Sequence, residues 1–303
     1  MDERKALDGR AMGSMVVLCL LWAVQQVVLK AAADDVSPLF QIALRSGIAV
    51  VLVGLLMKQR RIRLFPTDGT LRPGLLVGSL FALEFLLVGE GLRFTTASHM
   101  VVFLYTAPIF VALGLHWKLP AERLAPLQWL GVVLAFAGMA LAFLGRGQPD
   151  RDFADLLWGD SLALAAGMAW AATTVAVRLS SLARAPATQT LFYQLTGGFV
   201  LLMLASVALG QTGFKPTPLA WGSLLFQGVI VSFFSYLSWF WLLRHYLASR
   251  LGVFSFLTPL FGVACGVWLL DEPLEPGFLS GALLVCTGIV LVSRDTGWLG
   301  RRD

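Results

Sequence analysis

Ten long apolar runs, punctuated by short polar segments, divide this chain into spans at about 12–33, 38–57, 74–93, 97–117 and 126–144, then about 159–181, 186–209, 219–242, 248–269 and 277–293. Roughly 20 apolar residues in helical form cross a bilayer core. With no water there to hydrate the backbone, each run must close its hydrogen bonds internally, which predicts a helix for every run. The pattern therefore predicts an all-α membrane protein of ten transmembrane helices. Only the stretch from Gly145 to Trp158 reads as a linker.

The runs repeat. Sliding the chain by 151 positions lays Ala97–Trp117 on Ala248–Trp268 and matches Ala97 with Ala248, Ser98 with Ser249, Phe103 with Phe254, Pro108 with Pro259 and Trp117 with Trp268. A slide of 148 matches Trp22 with Trp170, Lys30 with Arg178, Gln41 with Gln189, Gly74 with Gly222 and Phe85 with Phe233. A slide of 150 matches Glu122 with Glu272, Gly131 with Gly281 and Gly138 with Gly288. Two five-span repeats follow, over residues 1–148 and 149–303. Five is odd, so the second repeat enters the membrane upside down relative to the first. Inverted repeats place a site near mid-membrane and let one arrangement open inward and its mirror image outward. Pro108 and Pro259 each interrupt a span near its middle, where a proline removes one hydrogen bond and crowds the preceding turn. These two spans are expected to be bent helices hinged at the prolines.

Charge refines this reading. Only 14% of residues are charged against 57% hydrophobic, where a soluble chain carries roughly 25% charge. The net charge of +5 does not point to nucleic acid, because the basic residues sit in the short loops. With the N-terminus inside, inner segments hold seventeen Lys and Arg and outer segments four. Positive residues stay on the cytoplasmic side, so both termini are expected there. The basic start and first apolar run resemble a cleavable leader, but that run has an echo in the second repeat and is read as the first span. Cys19, Cys265 and Cys286 fall within spans without paired spacing, so neither a disulfide framework nor a metal site is expected. No cofactor motif occurs, and no phosphate-binding loop, H-E-x-x-H or G-x-S-x-G; an enzyme is not expected.

Polar groups inside the spans are the candidates for chemistry. Trp22, Gln25, Gln26 and Lys30 share one face of the first span at helical spacing. Arg45 lies one turn beyond Gln41, and Glu84 stands in the third span between Phe81 and Phe85. A charge at such depth costs about 2.5–3.5 kcal/mol on insertion scales, so it must be paired, neutralised or exposed to a wet cavity. Glu84 can hold a substrate ammonium or a proton and Arg45 a substrate carboxylate; alternatively the two bond each other or the glutamines as a structural bridge. Trp22, Trp170, Tyr105, Tyr193, Phe85 and Tyr236 lie away from the interfacial belt where Trp and Tyr collect. Flat rings there can stack on flat substrates and attract cations, or simply pack. Gly131, Ala135, Gly138 and Ala142, and Gly277 with Gly281, form small-residue stripes that let helices approach closely, as scaffold or as a homodimer seam.

Ten spans in two inverted halves, a Trp in the first span, an Arg early in the second, and the A-S…P…W fourth span followed by Glu122 and a glycine-rich fifth resemble the drug/metabolite transporter superfamily, EamA-like branch. Within it the chain is most similar to YddG-type exporters of aromatic amino acids. The resemblance implies a multi-pass protein of the bacterial inner membrane. It also implies a central cavity lined by spans 1, 3, 4, 6, 8 and 9, and a small-molecule substrate: aromatic or other neutral amino acids, and related flat cationic compounds. Two readings compete: a carrier of anionic metabolites such as phosphorylated sugars, held by Lys30 and Arg45, and an intramembrane enzyme or scaffold. Single-cysteine labelling at residues 10 and 150 should find opposite sides of the membrane; labelling from the same side would remove the antiparallel relation.

Overall fold

The computed structural model of the protein describes residues 4–64, 69–143, 153–270 and 276–294. Residues 144–152, which include most of the expected linker, and Glu272 lie outside them. The helices in chain order are α1 (Gly9–Ala31), α2 (Pro38–Gln59), α3 (Leu71–Gly91), α4 (Ala97–Leu104), α5 (Ala107–Lys118), α6 (Pro126–Phe143), α7 (Phe153–Leu179), α8 (Ala187–Ala208), α9 (Pro218–Leu225), α10 (Tyr236–His245), α11 (Ala248–Phe254), α12 (Leu257–Leu270) and α13 (Pro276–Ser293). A π-helix over Phe226–Ser235 joins α9 to α10. Among the described residues nine helical segments are long and apolar enough to cross a membrane, and an apolar helix over Gly277–Ser293 is shorter. The architecture is all-α; the only extended pairings described are isolated bridges, Lys5 with Tyr246 and Val36 with Phe214.

Helix ends follow local chemistry. The Thr96 and Thr217 hydroxyls accept from the backbone N–H of His99 and Ala220, each satisfying one of the first-turn donors that a helix leaves unpaired. Prolines open α2 and α9, where the missing N–H costs nothing. Just past the end of α8, Gly210 takes a φ of +66°, the left-handed conformation that terminates helices and favours glycine.

The chain forms two compact units. Unit 1 comprises Met1–Leu20, Leu87–Val175 and His245–Asp303; unit 2 comprises Leu21–Leu86 and Ala176–Arg244. Each therefore draws on both sequence halves.

In unit 1, α6 and α13 run antiparallel at backbone contact. A Cβ at Gly131 would lie 2.6 Å from the Gly288 carbonyl oxygen, and one at Gly138 would lie 2.5 Å from that of Gly281. The stripe Gly131, Ala135, Gly138 and Ala142 is buried. It serves packing inside the chain, which corrects its alternative reading as a homodimer seam. Each proline-bearing span is interrupted for two residues ahead of its proline instead of running as one uninterrupted helix. Helix α4 ends at Leu104 and α5 begins at Ala107, with Pro108 in its first turn; α11 ends at Phe254 and α12 begins at Leu257. Pro108 supplies no N–H to the Leu104 carbonyl and crowds it, so ending one helix and starting another is the cheaper solution. Thr106 Oγ1 donates to the Phe103 carbonyl at 2.6 Å, and Ser255 Oγ to that of Gly252 at 2.6 Å. Gly167 of α7 lies against the break: a Cβ there would come within 2.7 Å of the Leu104 oxygen.

Carboxylates tie the ends of unit 1. Buried Glu122 accepts from Ala248 N at 3.1 Å, Ser249 N at 3.0 Å and Ser249 Oγ at 2.7 Å, capping α11. Burial pushes its carboxyl above the usual range, and the three bonds oppose that. Asp8 accepts from Ala11 N at 2.8 Å and from the Tyr246 hydroxyl at 2.9 Å; both bonds hold its carboxyl below the usual range. Asp160 accepts from Thr95 Oγ1 and lies 3.0 Å from His99 Nδ1.

In unit 2, α8 packs on α2 and α3 through small residues. Gly47 faces the Phe199 ring, Gly74 the Tyr193 ring, and Gly78 meets the Gly197 backbone. Leu39, Ile42, Ala43, Ala82 and Leu202 form the apolar cluster that closes this packing. Overpacking a close crossing costs about 1–3 kcal/mol. Gly138→Leu should therefore lower the melting temperature in detergent by several degrees, while Gly222→Ala, with open space around it, should not lower it.

Candidate functional site

Arg45 organises the polar interior of unit 2. It sits in the second turn of α2 and is 1% exposed. A guanidinium carries five donors and no acceptor, and in an apolar interior those donors need partners. Arg45 Nη1 donates to Gln25 Oε1 at 2.7 Å and Gln227 Oε1 at 2.7 Å, and Nη2 donates to the Tyr236 hydroxyl at 3.2 Å. Its Nε has no hydrogen-bond partner among the described residues. The guanidinium carbon lies 5.4 Å from the Phe85 ring centroid, within cation–π range.

Glu84 is the acid of this cluster. It is half-buried on α3, between buried Phe81 and half-buried Phe85, and the charge of Arg45 reaches it. No hydrogen bond joins its carboxyl to another described residue. The rings beside it meet edge to face: Phe81 with Phe85 at 4.9 Å and Phe81 with Tyr236 at 6.2 Å between centroids. A carboxyl free of hydrogen bonds, beside aromatic edges and near a cation held by neutral groups, can receive a proton or a substrate ammonium.

The structure brings six sequence candidates together in unit 2: Trp22, Gln25, Arg45, Glu84, Phe85 and Tyr236. Trp22 Nε1 donates to Ser235 Oγ at 3.0 Å, and its ring meets Trp239 edge-on at 5.8 Å. Gln26 departs from the expected shared face: Gln25 is buried against Arg45 whereas Gln26 is exposed, because consecutive helical residues point about 100° apart. Lys30 is also exposed. Tyr193 is buried elsewhere in unit 2, its hydroxyl bonded to Gln189 Nε2 and Thr70 Oγ1, both at 3.2 Å. In unit 1, Tyr105 stands between Trp170 and Phe256, at centroid distances of 5.3 and 6.5 Å.

Sequence reasoning missed Gln227, Ser223, Ser235 and Trp239. Gln227 binds Arg45, and its amide donates to Ser223 Oγ at 3.2 Å, as does that of Gln41. A signal was present, since Gln227 is the one glutamine in its span and Ser223 lies one turn before it.

The profile of the EamA-like transporter family matches residues 10–144 and again residues 157–294. The chain is a member of the EamA-like transporter family. It is similar to several proteins named uncharacterized transporters. The uncharacterized transporter YoaV of Bacillus subtilis (strain 168) is 25% identical, with 93% of this chain and 96% of that protein aligned. The uncharacterized transporter sll0355 of Synechocystis is 26% identical over 93% of this chain and 89% of its own. An uncharacterized transporter of Archaeoglobus fulgidus is 28% identical over 71% of each. A solved crystal structure matches 94% of this chain and 98% of its own with a TM-score of 0.79 at 20% identity, a likeness of fold. This EamA-like protein is thus a multi-pass membrane transporter, with a lipid bilayer around it and a small molecule as its substrate.

Removing one member of a buried charge cluster strands the others at a cost of about 3–5 kcal/mol. Arg45→Met should destabilise the transporter by that order in a detergent melt. Adding Glu84→Gln to that variant should recover part of the loss, because the uncompensated carboxylate is gone; strictly additive losses would mean that the two groups do not interact.

Proposed function

We propose that this EamA-like transporter is a secondary exporter of aromatic and other neutral amino acids, of the YddG type, working by alternating access in a bacterial inner membrane. What supports it is that Glu84 in unit 2, half-buried and with no hydrogen bond to a described residue, is within electrostatic reach of Arg45, beside the edge-to-face rings of Phe81, Phe85 and Tyr236. An amino acid presents one ammonium, one carboxylate and an apolar side chain. Glu84 takes the ammonium, Arg45 turns toward the carboxylate, and Phe81, Phe85 and Tyr236 take the side chain. Flat cations fit the same acid and rings without using Arg45.

The reading rests on ten spans in two inverted repeats with both termini cytoplasmic. The α6–α13 crossing supports it. A repeat shift of 150 carries Gly131 to Gly281 and Gly138 to Gly288, so it turns the Gly131–Gly288 contact into the Gly281–Gly138 contact. Two antiparallel helices whose contacts interchange in this way are what a two-fold relation between halves produces. The breaks before Pro108 and Pro259 give each half a hinge.

Counterflow of labelled phenylalanine into proteoliposomes preloaded with unlabelled phenylalanine should exceed that of empty liposomes at least several-fold. Glu84→Gln should abolish it, together with any dependence on a pH gradient. No phenylalanine flux, with phosphorylated sugars exchanging instead, would replace this substrate class by the anionic one.

A further inference from the structure

The span from Pro218 to His245 is wound in two ways. It is α-helical to Leu225, π-helical over Phe226–Ser235, and α-helical again from Tyr236. The backbone N–H of Tyr236 reaches the carbonyl of Val231, five residues back. A π-helix is usually a single-turn bulge and marks functional sites; ten residues of it call for a specific cause.

The partners of Arg45 supply that cause. Gln227 and Tyr236 both accept from this one guanidinium, and they are nine residues apart. At 3.6 residues per turn nine residues make two and a half turns, so in an α-helix the two side chains would point to opposite faces. Winding with i→i+5 bonds takes roughly 4.4 residues per turn, and nine residues then make about two whole turns. Only the wider winding puts Gln227 and Tyr236 on one face, one above the other, where a single guanidinium can hold both. It also delivers Ser235 to Trp22, while Gly228 lets the widened segment lie against Ile48, whose side chain would be 2.8 Å from a Cβ there.

We infer that Arg45 is a positioning residue that holds the segment Phe226–Ser235 in its π winding through Gln227 and Tyr236, making this span a winding switch. Letting go of Arg45 allows the segment to return to α, which turns Tyr236 away from Gln227 and lengthens the span. On the reading of the site given above, a substrate carboxylate that draws the guanidinium away throws the switch, and this links occupancy to helix movement. The unpartnered Arg45 Nε is the donor with which that exchange begins.

The test places nitroxide labels at Leu219→Cys and Ser238→Cys, two exposed positions on the flanking α segments, in the full chain without its three native cysteines, reconstituted in nanodiscs. Rewinding ten residues lengthens the label-to-label distance by on the order of 3 Å, from the difference in rise between the two windings. Gln227→Leu, which leaves the Arg45 and Glu84 charges in place, should give the longer distance, and so should Arg45→Met if it folds. An unchanged distance in a folded Gln227→Leu protein overturns the inference. Saturating L-phenylalanine should lengthen the distance in the parent. If the variants lengthen it and phenylalanine does not, the winding switch stands and the amino-acid reading of the site falls.

Discussion

A guanidinium inside an apolar bundle is the constraint on which the polar architecture of unit 2 depends. Arg45 cannot lose its proton and cannot reach water, so the surrounding helices must supply its acceptors. Gln25 from α1, Gln227 from the π segment and the Tyr236 hydroxyl do so. All three are neutral, which leaves the positive charge uncancelled by any direct ion pair and projects it toward Glu84. Glu84 on α3, with no hydrogen bond to another described residue, lies within electrostatic reach of this held cation. Placing the acceptors on one guanidinium also fixes the register of three elements against one another, so chemistry and packing share the same contacts.

Unit 1 solves a different problem with neutral groups. Proline deprives the Leu104 carbonyl of its partner, and α7 answers with Gly167, whose missing side chain lets the helix lie against that break. Helices α6 and α13 approach through four glycines, close enough for backbone atoms to touch. In lipid the hydrophobic effect does not drive helices together, so van der Waals fit at such small-residue surfaces must hold them. Glu122 is a buried charge of this scaffold, and it is satisfied by the donors at the start of α11.

Much of this was legible in the chain. The spans were, because a bilayer accepts backbone only as long apolar helices; the small-residue stripes were, because their period matches a helix face. That Arg45 needs partners at depth follows from the cost of buried charge, and the structure supplies Gln25 as one of them. The errors have physical origins as well. Gln26 was grouped with Gln25 by a broad view of helix faces, whereas 100° of rotation separates a buried position from an exposed one. Hydropathy shows each proline-bearing span as one run, whereas the helix is interrupted for two residues and resumes with the proline in its first turn.

The sequence by itself determined the class of this protein, its long apolar helices and its doubled family pattern, since these follow from hydropathy and spacing. Tertiary structure alone decided the partners: that Arg45 is held by Gln25, Gln227 and Tyr236, that the Gly131 and Gly138 stripe meets Gly281 and Gly288 within the chain, and that the segment after α9 winds as π. Sequence carries no signal for these, because one guanidinium can be satisfied by many acceptors. Which ones it takes depends on which helices are adjacent, and a helix leaves its usual winding only when a contact from another element holds it there.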